Sequence, residues 1–214
     1  EIGVRLVGSE MCIRDSDSLG RDPNYVKSIL KRSEKIVDNL GITDPAVKQN
    51  VLYILANRYF KLNDIYEVRD QKVKYAKAVL TGASKQAAIE AAELEKDATL
   101  YRCHFEFPAS LSLYINDKQI DAIKDGMTYN SLQVQYESLV DMVPSLTEEE
   151  KKQIYAWYKE AREFSMDAEN SDKKHAAFNK YKGRINNYLT KRGYDLVKER
   201  NEWYKRLKAA GKKI

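Results

Sequence analysis

Apolar positions recur at three- and four-residue steps along most of this chain, and residues that start and stop helices interrupt them. Asp22-Pro23 sets a capping carboxylate before a proline at the first helical position. Val26, Ile29, Leu30, Ile36, Val37 and Leu40 form the stripe that follows, and Gly41 closes it. Asp44-Pro45 repeats the opening. Val47, Val51, Ile54, Leu55, Leu62, Ile65, Val73 and Leu80 then predict a helix to about Leu80, broken by Gly82. Ser84 opens an Ala- and Glu-rich helix, Gln86 to about Leu113, with Pro108 inside it. A proline there predicts a kink or a split.

Downstream, Asn116-Asp-Lys-Gln119 reads as a capping box with Ile115 and Ile120 as its hydrophobic staple, and the short helix it opens stops near Gly126. Ser131 to Val143 is another short helical pattern ended by Pro144, and Thr147-Glu-Glu-Glu150 is a second capping box opening a helix to about Ala168. Ser171 caps a helix closed by Gly193, and Asp195 opens the last, to about Ala210. No stretch alternates with period two. The predicted fold is all-α: a single domain over 22–210 of about seven to eight capped helices in an orthogonal or irregular bundle.

Residues 1–16 show no helical period, no alternation and no turn chemistry. They resemble the in-frame translation of a sequencing-library adapter, so fold reasoning starts after them. Residues 17–21 read as a linker and 211–214 as a basic end. The two boxes, each an apolar residue, a cap, two residues and Gln or Glu, suggest a repeat of about thirty residues, or simply two well-capped helices. A similar cap marks a class of small periplasmic helical chaperones.

Composition narrows the chemistry. The 214 residues carry 37 Lys+Arg against 32 Asp+Glu, a net charge of +5 spread over every helix, and the missing basic stripe argues against a nucleic-acid partner. No apolar run is long enough for a membrane span. Two Cys make no disulfide framework, and two His, His104 and His175, give no metal site by spacing, so neither metal nor cofactor is expected. Glycine-rich phosphate loops, H-E-x-x-H, C-x-x-C and G-x-S-x-G are absent.

The candidate site residues are polar groups at helix edges. His175, Lys182 and Asn186 follow each other at steps of seven and four along one edge of an apolar arc formed by Ala177, Phe178, Tyr181, Ile185, Tyr188 and Leu189, with Arg184 on the opposite edge. Such a row binds an anionic or hydroxyl-rich ligand, or bonds neighbouring loops. Glu163 and Asp167, four apart beside Arg162, read as an acid/base pair or as flanks of a cation such as Arg184. Lys124-Asp125-Gly126-Met-Thr-Tyr129 is a helix end open to a ligand, or an ordinary C-cap. His104, just before the Pro108 kink, is a proton-transfer group or a histidine bonded to a freed carbonyl. Fifteen Tyr against five Phe and two Trp suit a wet helical core or stacking platforms for sugars.

The strings Lys124-Asp-Gly-Met-Thr-Tyr129, Pro144-Ser-Leu-Thr147, Glu160-Ala-Arg-Glu163, Met166-Asp-Ala168, Lys180-Tyr-Lys-Gly-Arg-Ile-Asn-Asn-Tyr-Leu189 and Gly193-Tyr-Asp195 resemble the uncharacterised domain-of-unknown-function family 3826, exported proteins of Bacteroidota. The likeness extends upstream to Asp22-Pro23 and Lys35-Ile-Val37. It implies export to the periplasm or cell exterior and genes beside pectin- and other polysaccharide-degrading enzymes, with no established activity. Phe107-Pro108 departs from the plain helix the family carries there. Three functions are carried forward. The first is an accessory protein binding an acidic carbohydrate or a protein partner through Lys124, Asp125, Tyr129, Arg162, Glu163, Asp167, His175, Lys182, Arg184, Asn186 and Asn187. The second is a lyase or hydrolase on uronate-containing glycans, with His175 or Tyr129 as base and Arg184 or Lys182 on the substrate carboxylate. The third is a periplasmic helical chaperone.

Overall fold

A computed structural model describes residues 16–212; the adapter-like residues before Ser16 and the last two of the basic end lie outside it. Within that range the chain is all-α, as its periodicity predicts. Nine α-helices and one 3-10 turn are present among the described residues: α1 Pro23–Val37, the turn Asp38–Leu40, α2 Pro45–Val79, α3 Gly82–His104, α4 Glu106–Leu111, α5 Asp117–Met127, α6 Ser131–Met142, α7 Glu148–Met166, α8 Ser171–Lys191 and α9 Leu196–Ala209. The extra helix over the expected number comes from the split at Pro108. Having no N–H for the His104 carbonyl, Pro108 is tolerated in the first turn of a new helix, and the chain breaks at Phe105. Backbone proximity divides the chain into two compact units, through Ile120 and from Asp121 onward, the boundary falling inside α5.

In the first unit the caps form where the sequence places them. Asp22 accepts from the Tyr25 N–H at 2.9 Å and Asp44 from the Ala46 N–H at 2.7 Å. Asn116 and Gln119 exchange bonds of 3.1 and 3.2 Å, and Gln119 also donates to the Leu40 carbonyl at 2.9 Å. Residues 17–21 are tied to α2: the Asp17 N–H donates to Asn57 at 2.8 Å, and Arg21 grips Asp64 with two bonds of 2.6 and 2.7 Å while lying over the Phe60 ring. The start of α2 packs on α1 and α4, burying Val51, Ile54, Leu55, Tyr59, Phe60 and Phe107. Buried Arg58 donates at 3.0 Å to the Cys103 carbonyl at the C-terminus of α3, where the helix dipole favours a cation. Beyond Leu62, α2 and α3 form a two-helix hairpin held by Ala76 and Ala92 at its buried face and by Arg69–Glu93 and Lys72–Glu95 ion pairs. The hairpin helix starts at Gly82, two residues before Ser84, because Gly82 itself takes the positive φ of 56° that turns the chain.

In the second unit α6, α7, α8 and α9 enclose a core of Leu132, Leu139, Val143, Leu146, Ile154, Tyr158, Phe178, Ile185 and Leu189. Asn170, one residue before the expected Ser171, caps α8, accepting from Lys173 at 3.0 Å. The Thr147–Glu150 box is complete, and its buried Glu150 carboxylate also accepts from the Tyr194 hydroxyl at 2.7 Å. Helix α9 closes on α6 through Trp203, whose indole N–H donates to Asp141 at 2.6 Å, and through Arg206, bonded to the Asp141 carbonyl at 2.7 Å. No helix among the described residues is long and apolar enough to cross a membrane.

Candidate functional site

Helix α5 ends in backbone that glycine normally supplies. The Asn130 N–H reaches back to the Asp125 carbonyl at 2.8 Å, and Tyr129 and Asn130 both sit in the left-handed region, φ 58° and 54°. A tyrosine there costs about 1–2 kcal/mol. Thr128 locks the turn from inside, its hydroxyl donating to the Lys124 carbonyl at 2.9 Å. Buried Lys174 donates to the Met127 carbonyl at 2.8 Å. The result is an outward Tyr129 ring, 51% exposed, stacked on exposed His175 with centroids 5.6 Å apart. Two of the sequence candidates, Tyr129 and His175, are thus neighbours. Tyr129→Gly is expected to keep the turn, since relief of the left-handed strain offsets the lost ring contacts to within about 1 kcal/mol. A thermal melt of the variant checks this.

Arg162 is 2% exposed and is the centre of a charge cluster. One guanidinium nitrogen donates to Asp125 at 2.8 Å and the other to Asp121 at 2.5 Å and to Glu163 at 3.4 Å. Lys124 binds the same Glu163 carboxylate at 2.9 and 3.1 Å. Burial works against the Arg162 charge, and the hydrogen bonds and charges of Asp125 and Asp121 more than reverse this, so its proton is held more tightly than usual. The cations that Glu163 flanks are Arg162 and Lys124. Arg184, the sequence candidate for that place, pairs instead with Glu160 at 3.2 Å. Lys124, Asp125, Arg162 and Glu163 thus pair with one another and tie the end of α5 to α7.

Along α8, His175 and Arg184 lie about 180° apart around the helix axis. Lys182 and Asn187 are exposed and Asn186 half-buried. Arg184 lies over the rings of Trp157 and Tyr181, at 5.7 and 5.3 Å. Burial, with the hydrogen bond and charge of Glu160 adding, pushes the Tyr181 hydroxyl up to about 12, so it serves as a neutral donor.

Next to Arg184, α7 and α8 leave an open groove of about 440 Å³ lined by Glu149, Lys152, Gln153, Ala156, Trp157, Tyr188 and Arg192. Trp157 and Tyr188 meet edge to face at 5.0 Å, and the Arg192 guanidinium lies 4.7 Å from the Tyr188 ring centre. A larger depression along α1, lined by Ser18, Arg21, Pro23, Val26, Lys27, Leu30, Lys31 and Glu34, offers no aromatic face, and Asp64 occupies its Arg21.

A family model described as "Protein of unknown function (DUF3826)" matches residues 26–209, which spans both units. The chain belongs to the DUF3826 family. No curated protein matches it.

For this DUF3826 member, sequence reasoning named Arg184, which lies over Trp157, but passed over Lys152, Gln153, Trp157 and Arg192 of the groove lining. Trp157 is followed four residues later by Ala161 and preceded by Ile154, so it reads as core. The available signal was the four-residue spacing of Arg184, Tyr188 and Arg192, a cation–aromatic–cation row on one face of α8.

Proposed function

We propose that this DUF3826 protein binds acidic saccharides without turning them over, in the periplasm or outside the cell alongside polysaccharide-degrading enzymes, and that the α7–α8 groove holds the sugar. The Trp157–Tyr188 pair bordered by Lys152, Arg184 and Arg192 carries this reading. A pyranose packs its C–H face on an aromatic ring, and a uronate carboxylate adds charge-assisted bonds from guanidinium or ammonium. Glu149 and Gln153 supply acceptors and donors for hydroxyls. The lyase reading needs His175 or Tyr129 to work with Arg184 or Lys182; Arg184 lies on the opposite edge of α8 from His175, so that reading rests on Lys182, which shares the His175 edge.

Titration with galacturonate oligomers, followed by tryptophan fluorescence in a Trp203→Phe background, tests the proposal. Saturable change is expected, at least tenfold weaker in Lys152→Ala and in Arg192→Ala, with Tyr129→Gly unaffected; Trp157→Ala, read by calorimetric titration instead, is expected to lose binding. No response to any acidic oligosaccharide overturns it, as does an equal response to neutral galactose oligomers.

A further inference from the structure

Helix α3 and its C-cap residue Phe105 present a second apolar face that is left exposed among the described residues. Ala87, Ala91, Leu94, Ala98, Tyr101 and Phe105 follow each other at steps of four and three, and all six are exposed. The large ones stand well clear, Leu94 at 69%, Tyr101 at 70% and Phe105 at 59%. At about 100° per residue this seam lies opposite the face that buries Ala92 and Cys103. It is the spacing of a coiled-coil seam, on a helix already packed on its other side.

The order of sizes along the seam identifies what covers it. We infer that a second copy of this chain docks here, α3 against α3 in antiparallel orientation about a twofold axis that crosses the seam midway between Leu94 and Ala98. In that register Leu94 meets Ala98 of the other copy, Tyr101 meets Ala91, and Phe105 meets Ala87. By symmetry each of these layers occurs twice. Every layer then pairs a large side chain with an alanine, the pattern that lets two helices approach closely while filling the space between them. A parallel pairing stacks Leu on Leu and Ala on Ala, leaving voids between bulges. A twofold contact must be self-complementary, and this seam is. The carboxylates nearest the axis are already neutralised within each chain, Glu95 by Lys72 at 2.5 Å and Asp97 by Lys96 at 3.0 Å. Like charges therefore do not oppose the contact.

Sedimentation velocity over a concentration series tests this on the full chain. The expected result is a reversible dimer. Leu94→Glu with Ala98→Glu is expected to give monomer with unchanged helical circular dichroism, since both side chains are exposed. Ala91→Tyr and Tyr101→Ala are each expected to weaken the dimer at least tenfold, the first by clash and the second by a void. Combining them rebuilds a large–small layer, and the double variant is expected to regain the dimer. A wild-type chain that stays monomeric overturns the inference. A dimer untouched by the double glutamate variant, or singles that the combined variant does not rescue, overturns it as well.

Discussion

Replacing Arg162 with methionine is expected to destabilise the protein by about 3 kcal/mol. Methionine preserves most of the buried stem but leaves Asp121, Asp125 and Glu163 converging without the guanidinium they share, while Lys124 still pairs with Glu163. The part-exposed carboxylates recover some hydration, which keeps the cost at the lower end for a broken buried pair. Lysine in this place restores the charge but not the two-pronged contact with Asp121 and Asp125, so its cost is expected to fall between. Urea unfolding of Arg162→Met, alone and combined with Asp121→Asn and Asp125→Asn, gives the check. Removing the carboxylates should recover stability in the variant and lose it in the wild type. Equal effects in both backgrounds would show that the cluster carries no coupling.

The second large effect belongs to Glu150. Its side chain is buried, yet it accepts from the Tyr194 hydroxyl at 2.7 Å and from the Thr147 N–H at 2.9 Å, with Arg192 at 3.6 Å. Burial alone would raise its pKa. These donors and the Arg192 charge outweigh that and hold it below its ordinary 4.5. A carboxylate with a depressed folded value stabilises the fold above its unfolded pKa, and that contribution is lost as pH falls through the folded value. Glu150→Ala is therefore expected to cost about 2 kcal/mol at neutral pH, from the lost half of the capping box, the stranded Thr147 N–H and the lost Tyr194 bond. Against Glu150→Gln, the wild type is expected to lose its advantage as pH falls through the range below 4.5. Melting curves from neutral pH down to that range read both. An advantage that persists in acid would mean that the charge on Glu150 contributes nothing.

Local chemistry made most of the helices readable. A cap bonds an N–H two or three residues away, so Asp22, Asp44, Asn116 with Gln119 and Thr147 with Glu150 could be placed from a few letters each. Pro108 acts on the carbonyl four residues before it, and its split was equally visible. Gly82 was read as a breaker, where its positive φ both turns the chain and starts the next helix. What needed coordinates was pairing between helices. Arg162 finds Asp121 some forty residues back, and no periodicity distinguishes it from Arg184 as a partner for Glu163. Trp157 carries the same letter whether it packs inside or lines a groove. The charges that marked Lys124, Asp125, Arg162 and Glu163 as a candidate binding set also let them neutralise one another.

Both tryptophans, Trp157 and Trp203, lie after Ile120, while buried Cys103 lies before it under Arg58. The chain thus carries a spectroscopic clock for one unit and a chemical clock for the other. With Cys12 changed to serine, alkylation of the remaining thiol proceeds only as α3 leaves α2, and indole emission follows α7 and α9. Comparing the two opening free energies in one denaturant series reads out the cooperativity between the halves of a DUF3826 chain, with no label or truncation added.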